Sequence, residues 1–226
     1  MDRDTGNIQR ISKHTDGTPG NGPSYDPTIS AEGRYVVYRS WADNLVGGAT
    51  NGDSNGTYDI FLRDLELNET RRISVHSNGN EANSYSYEAY FSGDSRYVVF
   101  WSAASNLVPN DTNARFDTFV YEIATGAVER VSLHTDGSQG DNHSYTGALS
   151  ADGNLVVFQS IASTLIDGDT NNVGDIFLRD RRAGTTTRVS VASDGSQANG
   201  ASGKRWISGD GRYVVFSSGA SNLVPG

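Results

Sequence analysis

The stretch "LSADGNLVVFQS", Leu149–Ser160, decides the fold because the chain contains four versions of it. The others are "ISAEGRYVVYRS" at 29–40, "FSGDSRYVVFWS" at 91–102 and "ISGDGRYVVFSS" at 207–218. The copies recur about every 60 residues, and a fixed period of this kind is the sequence signature of a repeat architecture. The chain is therefore expected to consist of one structural unit used several times.

Each repeat predicts four short β-strands. In the third copy they are Ser144–Ser150, Leu155–Ser160, Asp175–Asp180 and Thr186–Val191, where apolar and β-branched residues alternate or run together between Gly-containing turns. A single four-stranded sheet would expose an apolar face, which a neighbouring copy can cover. The sequence therefore predicts an all-β fold, a β-propeller of four-stranded antiparallel blades.

The repeats divide residues 1–226 as one domain with about four blades. Complete blades are predicted at about 24–78, 86–136 and 144–194, and a split blade combines 202–226 with 1–16. In that split blade Ile8–Lys13 would be the fourth strand, but the "DIFLRD" element has no copy. Three alternatives stay open: closure with three strands, missing residues, or strands from another chain, which would give a homo-oligomer through the open edge.

The repeat resembles a known family. The pattern S-x-D/E-G-x-x-V-V-F-x-S, followed by D-I-F-L-R-D and T-R-V-S, is similar to the TolB-like β-propeller repeats of bacteria. The residues that carry the resemblance are Ser150, Asp152, Gly153, Val156, Val157, Phe158, Ser160, Asp175, Ile176, Phe177 and Arg188. The resemblance implies a protein-binding platform, a ligand-binding module or an enzyme domain, since the fold alone does not choose. A longer, acidic inter-strand loop departs from the family pattern.

Composition excludes several classes of partner. The 226 residues carry a formal net charge of -9, which disfavours nucleic acid, because phosphate binding needs clustered Lys and Arg. There is no Cys, so disulfides and thiolate metal sites are excluded. No apolar stretch is long enough to span a bilayer, so membrane insertion is not expected. No secretory signal is visible at the start of the chain.

The acidic loops predict calcium sites. Ca²⁺ takes six to eight oxygen ligands, and alternate residues on a curled loop can point their oxygens at one centre. The spacing resembles the calcium loops of integrin-alpha-type propellers. The candidate ligands of the third, first and second loops are Asp167, Asp169, Asn171 and Asp175; Asn51, Asp53, Asn55 and Asp59; and Asp111, Asn113 and Asp117.

In the second loop Pro109 stands where the first ligand belongs. Calcium would pin each loop, and its modest affinity would suit an extracellular or periplasmic bacterial location. Alternatively, these Asp and Asn side chains only bond local backbone and cap turns.

Positions at which the copies differ are the candidate ligand-binding residues. Flat aromatic rings with polar edges bind sugars and peptides, although they also pack between blades. The candidates are Tyr25, Tyr87, Tyr145, Arg39, Trp101, Gln159 and Trp206.

No catalytic residue is predicted. There is no G-x-S-x-G motif, and His14, His76 and His134 recur at one repeat position, which indicates a turn feature. His143 has no counterpart and lies beside Asp141. The leading hypothesis is a non-catalytic scaffold that binds a protein or glycan. The alternatives are a polysaccharide-acting hydrolase or lyase, and a self-assembling fragment or engineered repeat without a ligand.

Overall fold

The computed structural model describes residues 3–47 and 53–224, and of Thr146 only the backbone. Within this part of the chain it contains β-strands and no helix, so none that could cross a membrane. The strands form three four-stranded antiparallel sheets and one two-stranded sheet. The predicted all-β class is confirmed.

Three blades are complete, and in each the four strands pair in chain order. Blade 1 contains β1 Ser24–Ile29, β2 Tyr35–Ser40, β3 Asp59–Asp64 and β4 Glu69–Arg72. Blade 2 contains β5 Ser86–Phe91, β6 Tyr97–Ser102, β7 Asp117–Glu122 and β8 Val128–Arg130. Blade 3 contains β9 Ser144–Leu149, β10 Leu155–Ser160, β11 Asp175–Asp180 and β12 Thr185–Arg188. A two-stranded sheet follows, with β13 Ser202–Ile207 and β14 Val214–Ser218.

The recurring Ser of the repeat closes the tight turn between the first two strands of each sheet. The Ser150 hydroxyl accepts a hydrogen bond from the Leu155 amide, and the equivalent bond forms in the other three copies. Gly153 has a φ of +69°, and a Cβ there would lie 2.2 Å from the Tyr97 ring of blade 2. The same turn in blade 2 accepts Ser95 with a φ of +59°, so it is the approach of the neighbouring blade that requires a glycine at 153.

The core lies between successive sheets. Val37 and Ile60 of blade 1 pack in one cluster with Val98 and Phe100 of blade 2. Val37, Val99 and Val157 occupy the same repeat position and are 0% exposed, whereas their counterpart Val215 on β14 is 65% exposed. A sheet face is thus buried where the next blade covers it, which is the physical reason that the repeats need one another.

The first strand of each sheet contacts the first strand of the next, so β1, β5, β9 and β13 line a common axis. Each of these inner strands contains a β-bulge, at the register shifts that follow Tyr25, Tyr87, Tyr145 and Gly203.

The N-terminal segment does not form the strand predicted at residues 8–13. Lys13 makes an isolated bridge with Pro19, and its carbonyl accepts a hydrogen bond from the Thr70 hydroxyl of β4. In the same way, the carbonyl of Leu133, which follows blade 2, accepts a hydrogen bond from the Thr186 hydroxyl of blade 3. Residues 8–13 therefore pack on blade 1 as the tail of a preceding blade would, but without a neighbouring strand they have no ladder to join. Closure of a split blade by residues 1–16 and 202–226 stays a prediction.

Candidate functional site

In each complete blade two of the predicted aspartate ligands lie beside an arginine whose side chain is at most 9% exposed. In blade 3, Nη1 of Arg188 lies 3.0 Å from Asp169 and 3.4 Å from Asp175. In blade 2, Nη1 of Arg130 lies 3.1 Å from Asp111 and 3.4 Å from Asp117. We call these groups the acid–arginine clusters.

The first acid–arginine cluster contains a third carboxylate. Nη1 of Arg72 lies 2.7 Å from Glu81, 3.4 Å from Asp59 and 3.8 Å from Asp53. One oxygen from each of the three acids lies within 4.8 Å of the others. In blades 2 and 3 the position of Glu81 is taken by Gln139 and Gln197, whose Oε1 atoms accept hydrogen bonds from the arginine.

The asparagines of the loops do not present oxygen to the centre of a cluster. Nδ2 of Asn171 donates to Asp175 at 2.9 Å, and its Oδ1 accepts the Val173 amide at 3.2 Å. Asn55 and Asn113 make the equivalent pairs of bonds. These side chains therefore cap the loop and donate to the final Asp, as the alternative to calcium binding expects.

The outermost predicted ligand of the third loop, Asp167, is not in its cluster. Asp167 is fully exposed, and its carboxylate is 4.0 Å from Nε2 of His134. Asn51 lies outside the described residues. The integrin-like oxygen cage is thus not assembled in the second and third loops, where an arginine supplies the positive charge.

The clusters shift the ionisation of their acids. Burial, followed by the charge of Asp59, raises the pKa of Asp53 to about 7. Burial and the charge of Asp117 raise the pKa of Asp111 to about 6. Burial and the Asp175 charge also raise the pKa of Asp169. The guanidinium opposes each shift, so these carboxylates pay a desolvation cost that one arginine only partly offsets.

Sequence reasoning missed the arginines as cluster members. Arg72, Arg130 and Arg188 each follow a Thr, Glu or Arg residue on the fourth strand and precede the "IS" or "VS" pair. This recurrence of one arginine for each acidic loop is the sequence signal that could have identified them as partners of the acids. The following Ser of each copy also bonds the final Asp of the loop, at Ser74, Ser132 and Ser190.

The candidate ligand-binding residues come together where the first two strands of each sheet meet. Sheet register pairs Tyr25 with Arg39, Tyr87 with Trp101, and Tyr145 with Gln159. We call the resulting surface the aromatic rim, formed by Tyr25, Trp41, Tyr58, Tyr87, Trp101 and Tyr145.

Aromatic contacts make the rim continuous across blades 1 to 3. Tyr87 and Trp101 stack with their centroids 4.9 Å apart, and Trp101 meets Tyr145 edge to face at 5.9 Å. Trp41 packs edge to face on Tyr58 at 4.9 Å. Tyr58 meets Tyr87 at 5.5 Å, which joins blade 1 to blade 2, and the Trp101–Tyr145 contact joins blade 2 to blade 3, so rings of the rim also pack between blades.

A cation lies at the centre of the first half of the rim. The Arg39 guanidinium lies 5.2, 4.9 and 4.6 Å from the centroids of Tyr25, Tyr58 and Tyr87, and its Nε is 2.7 Å from Asp26. Tyr25 and Trp41 remain 46% and 48% exposed. The rim thus combines accessible flat rings with a charged pair.

Two of the predicted ligand-binding residues, Gln159 and Trp206, make their contacts with residues near the axis. Oε1 of Gln159 accepts a hydrogen bond from Arg205 at 3.4 Å. Trp206 packs edge to face on Tyr90 at 5.6 Å, and both line a cavity of about 270 Å³ between the inner strands. Trp206 is therefore not part of the aromatic rim.

The histidines show turn and packing roles. Nδ1 of His14, His76 and His134 accepts a backbone amide two residues ahead. His143 accepts the Phe116 amide and packs on that ring at 4.1 Å. Asp141 instead bonds Ser163, so it does not form a dyad with His143.

Solved propeller structures are similar to the chain. A putative TolB from Agrobacterium tumefaciens has a TM-score of 0.50 at 15% identity, covering 92% of this chain and 73% of its own. A prolyl endopeptidase structure has a TM-score of 0.53 at 13% identity, covering 87% and 26%. TolB from Acinetobacter baumannii has a TM-score of 0.47 at 18% identity, covering 89% and 44%.

The chain spans less than half the length of the last two structures. No protein-family model matches the chain, and no curated protein matches it. Likeness at this level of identity, together with the stacked four-stranded sheets, shows the β-propeller fold and leaves function to be argued from the site.

Proposed function

We propose that this propeller is a non-catalytic binding module and that a glycan docks on the aromatic rim. The observation that carries the proposal is the exposure of Tyr25 and Trp41 beside the Arg39–Asp26 pair. A sugar ring has an apolar face and a hydroxyl edge, which suit a flat aromatic ring and a charged pair respectively. An extracellular or periplasmic location belongs to this proposal.

A glycan array tests the assignment. We expect the wild-type chain to bind a subset of glycans, and the double variant Tyr25→Ala/Trp41→Ala to lose that binding. Tyr213→Ala is the matched control, since Tyr213 is 61% exposed and far along the chain from the rim. The proposal fails if no glycan binds, or if the control loses binding as fully as the rim variant. A protein that binds through the rim, with no glycan binding, would replace the glycan in this proposal.

An enzyme is the second candidate, because Glu88, Lys204 and Arg205 line the axial cavity with Tyr90. These residues differ from their counterparts in the other repeats, as expected for catalytic groups, which an enzyme needs only once. Glycoside hydrolysis, however, commonly uses two carboxylates, and among the described residues lining this cavity Glu88 is the one carboxylate. A binding role therefore has more support than catalysis.

Self-association is a further candidate, supported by exposed sheet surface. Ile29 is 62% exposed, whereas Leu149 at the same repeat position in blade 3 is 7% exposed. Ile29 and Val215 therefore lie on exposed sheet faces. The equivalent faces of the other blades are covered by a neighbouring blade. Light scattering in solution would show a dimer or larger ring if a second copy supplies that cover.

A structural calcium ion is proposed for the first acid–arginine cluster alone. Asp53, Asp59 and Glu81 offer three carboxylates, whereas the other two clusters offer two each; a buried oxygen without a hydrogen-bond partner among the described residues is common to Asp53, Asp111 and Asp169. Carboxylate oxygens are the ligands that Ca²⁺ prefers. Arg72 lies among these carboxylates and would have to move aside to admit the ion.

A further inference from the structure

β13 departs from the other inner strands at the β-bulge. The two bulge positions hold Asp26 and Pro27 in β1, and Glu88 and Ala89 in β5. In β13 they hold Lys204 and Arg205. The bulge of β13 therefore carries two basic residues, whereas the bulges of β1 and β5 each carry one acid and an uncharged residue.

The bulge also holds backbone strain. Asp26, Glu88 and Lys204 have φ values of 52°, 48° and 37°, in the left-handed region that L side chains rarely adopt. Bulges re-aim side chains next to functional sites, and strained residues persist where the surrounding structure enforces them. Here the strain falls on residues of which two, Glu88 and Lys204, line the axial cavity.

Arg205 presents an unused pair of donors. Its Nη1 donates to Gln159, but Nε and Nη2 are buried and have no hydrogen-bond partner within residues 3–47 and 53–224. These two nitrogens form one edge of the guanidinium, the edge that binds a carboxylate through two parallel hydrogen bonds. Nε of Arg130 and Arg188 also lacks a hydrogen-bond partner, but Arg205 is the one arginine of the described residues whose Nη2 is buried and unbonded as well. Charged donors left buried and unbonded are costly, so a missing acceptor is the simplest explanation for this pair.

The charge of the cavity matches an anion with a single negative charge. Lys204 and Arg205 bring two positive charges, and Glu88 brings one negative charge. Glu88 makes no ion pair with either cation within 4.0 Å among the described residues, and Asp26 is held by Arg39. One positive charge is left in excess, which suits a carboxylate better than a phosphate dianion.

The remaining walls define the size and character of the ligand. Tyr90 and Trp206 provide aromatic faces, and Gly147 of β9 adds no side chain. The cavity of about 270 Å³ is slightly below the range of about 300–1,000 Å³ that holds drug-sized ligands. It therefore fits a molecule of the size of one sugar acid.

We propose that the axial cavity binds a small carboxylate, held by Nε and Nη2 of Arg205 with Lys204 adding charge and Trp206 covering the apolar side. The proposal does not depend on the aromatic rim, because Arg205 and Trp206 lie outside it. Ligand binding here needs only the described inner strands β5, β9 and β13.

Calorimetric titration with sodium glucuronate tests the proposal, with glucose as the neutral probe and inorganic phosphate as the second anion. We expect glucuronate to bind and glucose not to bind. Arg205→Met should weaken glucuronate binding about tenfold or more, because two charge-assisted hydrogen bonds are lost. Arg205→Lys keeps the charge without the paired donors and should recover only part of the affinity. Arg212→Met is the matched control, since Arg212 lies on the turn after β13, and it should bind as the wild type does.

Nitrogen-detected NMR of the arginine side chains keeps the test decisive if Arg205→Met does not fold. Glucuronate should shift the Arg205 Nε resonance of the wild-type chain and leave that of Arg212 in place. The proposal is overturned if glucuronate does not bind, if Arg205→Met binds it unchanged, or if the Arg205 resonance does not move. Tighter binding of phosphate than of glucuronate would overturn the carboxylate assignment.

Discussion

The first acid–arginine cluster differs from the second and third at one position, where Glu81 replaces the Gln139 and Gln197 of the other blades. The other contacts are repeated: the arginine, the final Asp of the loop, and the Asn and Ser that bond it. A glutamine and a glutamate have nearly the same shape, so the arginine keeps its contacts with this position and with the final Asp, while the charge changes and the distance from the arginine to the other acid grows from 3.0–3.1 Å to 3.8 Å. The comparison teaches that a repeat can preserve its packing and still change the electrostatics of one blade.

The arginine supplies a positive charge that links each acidic loop to the fourth strand. In blades 2 and 3 two acids, one guanidinium and an amide contact one another across the loop and the fourth strand, and one buried oxygen each of Asp111 and Asp169 accepts no hydrogen bond among the described residues. In blade 1 three acids face one guanidinium, which leaves an additional negative charge. The first cluster should therefore be the most sensitive to pH and to divalent cations.

The largest effect is expected from removing the arginine of the matched clusters. Arg130→Met and Arg188→Met each leave two buried carboxylates without a counter-charge, which should lower the free energy of unfolding by about 3–5 kcal/mol. Urea denaturation measures the change. Arg182→Met is the control, because that side chain is largely exposed and should cost little. Losses below about 1 kcal/mol in both variants would contradict a cluster role for these arginines.

A smaller effect is expected from pH. A buried acid with a raised pKa holds its proton more tightly in the folded state, so stability falls as pH rises from its unfolded pKa to its folded pKa and then levels off. For Asp53 that window runs from 3.8 to about 7, and for Asp111 from 3.8 to about 6.

Thermal melts between pH 5 and pH 8 in the presence of a chelator separate the two clusters. Asp53→Asn should remove part of the decrease in melting temperature between pH 6 and pH 7, by about 2–4 °C for each kcal/mol involved. Asp111→Asn is the matched control, and it should keep the larger part of the decrease in that interval, because Asp111, with a pKa of about 6, is already about half deprotonated at pH 6. Equal curves for the two variants would show that the clusters do not differ.

The smallest effect is expected from calcium. If the first cluster binds it, millimolar calcium after chelator treatment should stabilise the wild-type chain by about 1 kcal/mol, as ligand binding to the folded state requires. Glu81→Gln makes the first cluster resemble the other two and should abolish that gain. Differential scanning calorimetry with and without calcium measures both. An unchanged melting temperature in the wild type would remove calcium from this protein's proposed cofactors.

Much of the fold could be predicted from the repeat. The positions of β2, β6 and β10 match "YVVYRS", "YVVFWS" and "LVVFQS", because strand-length runs of β-branched and aromatic residues ended by turns are strong local signals. The strand predicted at residues 8–13 is not formed, because a strand depends on a partner that local sequence does not contain.

The site was less predictable. Pairing of β1 with β2 followed from strand order, but the register that sets Tyr25 beside Arg39 and the unused donor edge of Arg205 did not. The acidic loops had the residue types of a calcium site, and the same oxygens serve a guanidinium equally well. Which cation a carboxylate faces depends on a side chain 13 residues away on another strand, as Asp175 and Arg188 show.

The sequence by itself determined a periodic all-β chain. The spacing of hydrophobic residues and the positions of turn residues depend on neighbours in the chain, so both can be read directly from the sequence. Only the tertiary structure decided that Arg72, Arg130 and Arg188 enter the acidic loops, that the aromatic residues form one rim, and that Arg205 faces a cavity with a free pair of donors. The reason is physical: charge pairing, desolvation and cavity shape depend on distances between residues that chain order leaves open.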